Sequence, residues 1–255
     1  MKKVLIATPT YDGMEYCFRE FLEHIKVIDY DNFDILIIDN SRTKKFFRKI
    51  KNIPRIKVIY DDTNEEKNIW RLISSRNKIL DYAIKKDYDY LLIMDSDVLV
   101  PQDILKKLLH HKKDVCSGIY FNYFETKKGI QILPVCYKKL EEKYFPIYEK
   151  FFPNANMKRF SRQMSLIEAK SKELFEVSIP SPGCTLLSKK AFSSGARYGI
   201  SQNFEKVFEK VTDDILFFKE LREKSFKIYC DTSILCIHES KQKYKINKSE
   251  HPVFK

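Results

Sequence analysis

The sequence predicts an α/β protein: a Rossmann-like α/β/α sandwich with a mostly parallel central sheet and a small antiparallel part towards the C terminus. Two observations support this prediction. Short apolar runs of strand length alternate with segments of helical periodicity through the first hundred residues. Later, two strand-like runs are separated only by the turn Lys127-Lys128-Gly129, which favours antiparallel pairing.

The first half predicts four strands and three helices. The strands are the apolar runs Lys3–Thr8, Asp34–Asp39, Ile56–Tyr60 and Tyr90–Asp95. The helices are Glu15–Val27, Thr43–Lys51 and Asn68–Lys85. This alternation implies right-handed crossovers and a sheet covered on both faces, with ligands bound at the carboxyl ends of the strands. The site is therefore expected at Thr8–Asp12, at Asp39–Ser41, after Tyr60 and at Asp95–Asp97.

The second half has a less regular pattern. Strands are predicted at Val115–Tyr123, Ile130–Tyr137, Val177–Ser188, Lys227–Cys230 and Ile234–Ile237, and a helix from about Asp213 to Lys224. Residues 138–172 form an irregular segment rich in aromatic and basic side chains. Because no repeat or linker interrupts the sequence, we expect one domain over residues 1–255, with halves 1–100 and 101–238 and a polar tail at 239–255.

The composition excludes several classes of protein. The 47 Lys and Arg outnumber the 35 Asp and Glu, but the excess is dispersed Lys without a basic helix, so we expect no specific nucleic-acid partner. No apolar run reaches the roughly 18 residues of a membrane span, and the N-terminal run is too short for a signal peptide. The six cysteines form no CxxC motif and lie mostly in apolar runs, as in reduced cytoplasmic proteins without structural zinc.

An acidic pair follows the fourth predicted strand. Asp95-Ser96-Asp97 comes directly after the apolar residues Tyr90–Met94. Two carboxylates this close repel each other unless a cation lies between them, and Mg²⁺ or Mn²⁺ is the natural partner of such oxygen ligands. The alternative interpretation is a solvated acidic end of a strand.

Two further groups of polar residues could take part in chemistry. Asp213 and Asp214 open a predicted helix, where a carboxylate could serve as a general base or simply suit the helix dipole. His238 follows the last predicted strand and could complete a metal site or have a structural role.

A nucleotide could lie over the first two strand ends. Pro9-Thr10-Tyr11 supplies an aromatic face, and Asp39-Asn40-Ser41 supplies an acceptor for a ring N–H or a ribose hydroxyl. The sequence has neither a GxGxxG nor a GxxxxGK[ST] motif, so a diphosphate would have to be neutralised in another way. A metal ion on Asp97 would do so.

The ordered combination of these pieces resembles a GT-A-fold glycosyltransferase of the large inverting family 2 type. The segments that carry the resemblance are KVLIATPTYDG, LIIDNS, SSRNKILDYAIKKDYDYLLIMDSDV, PGCTLLSKKAF and TDDILFFKELREKSFKIYCDTSILCIH, which run from Lys3 to His238. The resemblance implies a nucleotide-binding half at 1–100, and a catalytic and acceptor half at 101–238 with an insertion at 138–172.

The resemblance also implies roles for individual residues. Asp97 and His238 would hold Mn²⁺ or Mg²⁺, and Asp214 would deprotonate the acceptor hydroxyl. Residues implied to bind the nucleotide-diphosphate sugar donor are Thr8, Pro9, Thr10, Tyr11, Asp39, Arg76, Asn77, Asp95, Ser96 and Gly183. The sequence departs from the family pattern in having Asp213 where Glu is usual and Asn40 where Asp is usual.

The implied function is metal-dependent transfer of a sugar, with inversion, to an acceptor hydroxyl of a glycan, a lipid-linked molecule or a protein. A QxxRW motif is absent, so a polymer-extruding synthase is not expected. Two alternatives remain open: a nucleotidyltransferase on a related α/β fold, and a basic non-catalytic protein that binds anions or nucleic acid. The aromatic and basic residues of 138–172 also predict peripheral contact of a cytoplasmic protein with an anionic membrane.

Overall fold

A computed structural model of the chain describes residues 1–126, 129–153, 156–200 and 212–239. The strands are β1 (Val4–Thr10), β2 (Phe33–Asp39), β3 (Ile56–Tyr60), β4 (Tyr90–Met94), β5 (Val98–Leu99), β6 (Val115–Ile119), β7 (Phe121–Thr126), β8 (Gly129–Pro134), β9 (Tyr137–Lys139), β10 (Ser161–Gln163), β11 (Leu174–Val177), β12 (Cys184–Ser188), β13 (Ile228–Leu235) and β14 (Ile237–His238). The helices are α1 (Glu15–Lys26), α2 (Lys45–Ile50), α3 (Asn68–Lys85), α4 (Ile104–His110), α5 (Phe145–Phe151), α6 (Leu166–Lys170), α7 (Lys189–Phe192) and α8 (Asp214–Glu223).

The central sheet has the strand order β11-β13-β6-β12-β4-β1-β2-β3. The strands β4, β1, β2 and β3 are parallel, as is the pair β6 and β13, whereas β12 and β11 run antiparallel to their neighbours. Short antiparallel pairs, β7 with β8, β9 with β10 and β5 with β14, lie outside this sheet. The predicted α/β sandwich with a mostly parallel sheet is therefore confirmed.

Apolar side chains on both faces of the sheet form two cores. Along β1, Leu5 and Ala7 belong to one core, and Val4 and Ile6 to the other, because successive side chains of a strand point to opposite faces. Helix α3 packs on the first core and helix α1 on the second. Burial on both faces explains why the parallel strands are continuously apolar in sequence.

The second half differs in detail from the sequence prediction. The run Val115–Tyr123 is two strands, because the chain leaves the central sheet at Tyr120 and continues as the hairpin of β7 and β8. Residues 227–237, predicted as two strands, contain the single strand β13 with a register shift between Cys230 and Leu235, followed by β14. A bulge of this kind bends a strand without ending it, and the polar residues in it look like a turn in sequence.

The predicted irregular segment 138–172 contains only short elements, and Glu168 joins them. Its carboxylate accepts hydrogen bonds from Lys138 on β9 at 2.7 Å and from both terminal nitrogens of Arg162 on β10 at 2.8 Å. The side chain of Ser165 and that of Glu168 also form a reciprocal capping box at the start of α6. Charge-assisted hydrogen bonds therefore hold together a segment that has few buried apolar residues.

Two properties of the described residues bear on the wider predictions. None of their helices is both long and apolar enough to cross a membrane. All six cysteines are free and buried, as expected for reduced thiols.

Candidate active site

A cleft of about 470 Å³ opens at the carboxyl ends of β1, β2 and β4. The parallel arrangement of these strands brings their final polar residues to one edge of the sheet, as predicted. The cleft is lined by Pro9, Thr10, Tyr11, Asp12, Met14, Asn40, Ser41, Arg42, Asn68, Ile69, Arg71, Leu72, Arg76, Asp95, Ser96, Asp97 and His238.

Asp39 lies beneath the part of the cleft next to Tyr11. One of its carboxylate oxygens accepts hydrogen bonds from the backbone N–H of Ser41, at 2.9 Å, and from the Ser41 hydroxyl. The other oxygen, Oδ2, is buried and has no hydrogen-bond partner among the described residues. Burial raises the pKa of the Asp39 carboxyl, and the Ser41 hydrogen bonds lower it in part. The sequence analysis assigned an acceptor for a ring N–H or a ribose hydroxyl to the group Asp39-Asn40-Ser41.

The sequence prediction missed Arg71, which forms part of the cleft wall. Its guanidinium donates hydrogen bonds to the backbone carbonyls of Asn40 at 2.7 Å and Ser41 at 2.9 Å, after β2. It also donates to the carbonyls of Thr63 at 2.8 Å and Glu65 at 3.2 Å, after β3. A buried Arg that links the two loops fixes the shape of the cleft. The only feature of the sequence that pointed to Arg71 was a cationic residue within an amphipathic helix.

The first acid of the Asp95-Ser96-Asp97 group is fixed by Gly183 and Arg76. The backbone N–H of Asp95 donates to the Gly183 carbonyl at 3.0 Å, and Arg76 Nη2 lies 2.6 Å from Asp95 Oδ1. A Cβ atom at position 183 would lie 2.7 Å from Asp95 Oδ2 and 2.9 Å from a Val98 methyl group. Glycine is required here because backbone approaches a carboxylate.

The second acid of the group faces His238. The short antiparallel pair of β5 and β14 brings His238 Nε2 to 3.5 Å from Asp97 Oδ2. Burial raises the pKa of the Asp97 carboxyl to about 6, although the nearby His238 lowers it. His238 Nδ1 is buried without a hydrogen-bond partner among the described residues. The His238 ring stacks on Tyr120, with centroids 5.6 Å apart.

The Asp97 and His238 pair fits a divalent cation that is completed by a ligand. A desolvated carboxylate next to an imidazole nitrogen is a donor set that Mn²⁺ accepts. Among the described residues no group of three or more His, Cys, Asp or Glu is placed to hold a metal ion. Cations that assist phosphate chemistry commonly have few protein ligands and take the others from phosphate and water.

Arg76 connects Asp95 to Asp213, the residue before α8. Its Nε lies 2.7 Å from Asp213 Oδ2, and its side chain is only 3% exposed. Burial opposes the charged form, but Asp213 and Asp95 outweigh it and hold the pKa of Arg76 well above the usual value. Burial raises the pKa of Asp213 to about 6, and it also raises the pKa of Asp214.

Asn77 is directed away from the cleft. Its side-chain amide accepts from the backbone N–H of Tyr198 and donates to the Tyr198 carbonyl, each at 3.0 Å. The Tyr198 ring lies 5.2 Å from the Arg76 guanidinium carbon and stacks on Phe217 of α8, with centroids 4.2 Å apart. Asn77 therefore fixes the tyrosine that covers Arg76, a position that sequence reasoning alone assigned to the nucleotide.

Tyr120 is a second residue that the sequence prediction missed. The side chain is buried, and its hydroxyl oxygen accepts a hydrogen bond from the Gly183 backbone N–H at 3.2 Å. Burial, followed by the charges of Asp95 and Asp214, raises its pKa well above the usual value. Tyr120 thus lies among the acidic residues and contacts both His238 and the glycine behind Asp95.

The structure brings most of the predicted residues to one place. Eight of them line the cleft: Pro9, Thr10, Tyr11, Arg76, Asp95, Ser96, Asp97 and His238. Thr8, Asp39 and Asp214 are buried and do not line it, and Gly183 lies directly behind Asp95. The sequence prediction did not assign the lining residues Met14, Arg42, Asn68, Ile69, Arg71 and Leu72.

Comparison with solved structures shows the same architecture in glycosyltransferases. The mannosyltransferase PcManGT from Pyrobaculum calidifontis, solved with GDP-Man and Mn²⁺, superposes with a TM-score of 0.54 at 12% identity, covering 95% of this chain and 58% of that one. TarS residues 1–349 from S. aureus, solved with UDP-GlcNAc, gives a TM-score of 0.53 at 16% identity, with coverages of 94% and 60%. GalNAc-T7, solved with UDP, GalNAc and Mn²⁺, gives 0.61 at 10% identity, with coverages of 95% and 45%.

These likenesses show the GT-A fold. The chain spans between 45% and 60% of the length of these three solved chains. A comparison with the sequences of curated proteins gives no match. The sequence profile described as Glycosyl transferase family 2 matches residues 5–196, which is most of the chain and includes Asp95, Asp97 and Gly183. The chain therefore belongs to glycosyl transferase family 2.

Proposed function

We propose that the chain transfers a sugar from a nucleotide-diphosphate sugar to an acceptor hydroxyl, with inversion and with the help of Mn²⁺ or Mg²⁺. The observation that carries the proposal is the placement of Asp97 and His238, 3.5 Å apart, in the cleft that Tyr11 also lines. In the same region Arg76 joins Asp95 to the acids that open α8. A nucleotide surface, a cation site and a buried base are the parts that this reaction requires.

The nucleotide would lie between the ends of β1 and β2. Tyr11 supplies an aromatic face, and the unpartnered Asp39 Oδ2 supplies an acceptor for a ring N–H or a ribose hydroxyl. Arg71 donates four hydrogen bonds from its five N–H groups to backbone carbonyls, so its main role is to shape this part of the cleft. The solved relatives carry GDP-Man, UDP-GlcNAc or UDP, so both guanine and uracil donors are candidates.

Asp97 and His238 would hold the cation. When bound there, a divalent cation neutralises the leaving diphosphate as a Lewis acid. The raised pKa of Asp97 shows that its charge is poorly solvated, and a cation would compensate for this. His238 offers a ring nitrogen whose orientation is fixed by stacking on Tyr120.

Asp214 would act as the general base. Its carboxyl is buried at the start of α8, and burial raises its pKa, which makes it a better proton acceptor than an exposed carboxylate. Proton removal increases the nucleophilicity of the acceptor oxygen, which attacks the anomeric carbon opposite the leaving diphosphate and so inverts it. Asp213 is paired with Arg76 and has a positioning role.

The acceptor would be a hydroxyl of a glycan, a lipid-linked molecule or a protein. Burial, followed by the charge of Asp214, raises the pKa of Tyr137, which lies at the edge of segment 138–172. This segment is therefore proposed to contribute to the acceptor side. Peripheral contact with an anionic membrane through the same segment forms part of the proposal.

A donor panel tests the proposed function. UDP- and GDP-linked sugars are incubated with the protein and Mn²⁺, and release of the nucleoside diphosphate and of the sugar is followed, with Asp97→Ala as the control. Release of UDP or GDP by the wild-type protein, but not by Asp97→Ala, supports the proposal. Formation of pyrophosphate from a nucleoside triphosphate and a sugar phosphate would instead identify a nucleotidyltransferase. Binding without turnover of any donor would identify a non-catalytic protein.

A further inference from the structure

One side of helix α5, in the inserted segment, and Phe152, which follows the helix, contact the ring of Phe160. The rings of Tyr148 and Phe152 lie 5.5 Å and 5.0 Å from the ring of Phe160. A seven-residue helix is too short to be stable by itself, so these contacts hold it in place. The side that contacts Phe160 accounts for only part of the apolar content of α5.

The opposite side of the same helix is also apolar and is exposed. Phe151 is 75% exposed and Ile147 is 54% exposed. Ile147 and Phe151 are four positions apart, as are Pro146 and Lys150, so the four residues lie on one side of the helix. These four residues are called the α5 face below. An exposed Phe and Ile on one short helix form a surface that is typical of a contact site.

The stretch of chain that contains the α5 face carries an excess of positive charge. Lys139, Lys150 and Lys158 are exposed and form no ion pair within the described part of the chain. Among the acids of the same stretch, Glu141 is paired with Lys143 and Arg162, while Glu142 and Glu149 are exposed. Residues 138–162 contain seven Lys or Arg against three Glu, so the stretch is cationic as a whole.

We propose that the α5 face is a docking site for an anionic lipid bilayer. Aromatic and aliphatic side chains that enter the interface, with lysines that reach the phosphates, are the combination that holds peripheral proteins on membranes. A second copy of the chain is a poorer occupant, because a stable protein interface needs about 20 residues from each partner and the α5 face offers four. Anionic lipid matches both the apolar side chains and the positive charge.

The docking site is connected to the proposed catalytic region. Segment 138–172 begins next to Tyr137, which forms a β-bridge with Ile179, four residues before Gly183. Docking through α5 would place the inserted segment, which is proposed to contribute to the acceptor side, at the membrane, where an acceptor carried by a lipid would be found. This inference rests on the proposed function, of which membrane contact is a part, and the vesicle experiment tests docking separately from sugar transfer.

Co-sedimentation with vesicles tests the docking. Vesicles of equal parts phosphatidylcholine and phosphatidylglycerol at low salt should bind the wild-type protein, and vesicles of phosphatidylcholine alone should bind it much less. The double variant Ile147→Ser/Phe151→Ser should lower the partition coefficient at least about tenfold, because both side chains lose their place in the interface. Lys150→Gln should lower it about fivefold, and only on anionic vesicles.

Ile167→Ser is the matched control, since Ile167 is 84% exposed in the same segment but lies on α6. This variant should bind like the wild-type protein. Thermal unfolding and Mn²⁺-dependent binding of UDP or GDP, measured on every variant, separate a failure of docking from a failure of the proposed function.

Three results would overturn the docking proposal. The first is wild-type protein that ignores anionic vesicles at low salt. The second is an Ile167→Ser variant that loses as much binding as the double variant. The third is the formation of dimers by the wild-type protein, but not by the double variant, in sedimentation velocity, when neither protein binds vesicles. A second copy would then be the occupant of the α5 face.

Discussion

Arg76 Nε lies 2.7 Å from Asp213 Oδ2, so a helix of the nucleotide half is joined by a buried ion pair to the start of the helix that carries the proposed base. The same guanidinium holds Asp95 at 2.6 Å. One side chain therefore links Asp95, after β4, to Asp213, before α8. We therefore expect this cation to matter for stability as well as for the geometry of the site.

Replacing Arg76 should destabilise the protein strongly. Arg76→Ala leaves the carboxylates of Asp95 and Asp213 without their cation in a buried site, which should lower the free energy of unfolding by about 3–5 kcal/mol. Urea denaturation at neutral pH measures the change. Arg19→Ala is the matched control, because Arg19 forms an exposed pair with Glu23 that is worth less than about 0.5 kcal/mol. Equal stability of the two variants would show that the buried pairs do not matter.

Asp214→Asn should affect catalysis and leave donor binding intact. Loss of a general base lowers kcat by about a hundredfold or more, while the affinity for the nucleoside diphosphate stays close to that of the wild-type protein. Steady-state kinetics and calorimetry measure the two quantities separately. An Asp214→Asn enzyme with normal kcat would show that another group takes the proton or that the reaction proceeds with retention, and the anomeric configuration of the product by NMR distinguishes these cases.

The activity should also depend on pH through Asp214. Its pKa is raised by burial, so the base becomes protonated as the pH falls through that value, and kcat of the wild-type protein should decrease on acidification. Any residual activity of Asp214→Asn should lack this acidic decrease. An acidic limb of kcat that is the same in both proteins would assign it to another group.

Glu168 should make stability dependent on pH. The hydrogen bonds from Arg162, followed by those from Lys138 and Ser165, hold the pKa of Glu168 below its usual range, although burial opposes this. A carboxyl with a lowered folded-state pKa stabilises the protein above the unfolded-state pKa, and this contribution disappears as the pH falls. Glu168→Gln should therefore lower the free energy of unfolding by about 1–2 kcal/mol at neutral pH and much less in acid.

Chemical denaturation of the wild-type protein and of Glu168→Gln, from neutral pH into the acidic range, checks this prediction. A destabilisation of Glu168→Gln that stays the same in acid would show that the effect comes from packing and not from ionisation.

Replacing Gly183 should disturb the position of Asp95. In Gly183→Ala the new Cβ would lie 2.7 Å from Asp95 Oδ2, so the carboxylate or the backbone must shift. We expect a loss of about 1–3 kcal/mol of stability and weaker donor binding. Unfolding and nucleotide titrations measure both, and an alanine variant with unchanged donor affinity would show that the position of Asp95 is not critical.

The sequence was sufficient to predict the fold and most of the cleft, because both depend on local patterns. The strands around Leu5 and Leu92 are apolar on both faces, and parallel pairing brings their polar ends together. Asp95, Asp97 and Tyr11 therefore lie where the strand ends predict. Residues whose role depends on distant partners were harder to predict.

Asn77 and Tyr120 illustrate why. The amide of Asn77 contacts the backbone of Tyr198, which is 121 residues away. Tyr120 contacts His238 and Gly183, which are also far from it in sequence. Neither contact leaves a periodic or spacing signal in the sequence. Arg71 was missed for the same reason, since its partners are backbone carbonyls, which any residue can supply.

Calorimetric titration with UDP and GDP, in the presence of Mn²⁺ or of EDTA, tests the central claim most directly. We predict that the wild-type protein binds at least one nucleotide with Mn²⁺ and much more weakly with EDTA. Asp97→Ala should abolish the Mn²⁺-dependent part, and His238→Ala should weaken it to a smaller extent, because Asp97 contributes charge as well as a ligand atom. Equal affinity with Mn²⁺ and with EDTA, or an Asp97→Ala variant that binds like the wild-type protein, would contradict the proposed cation site at Asp97 and His238.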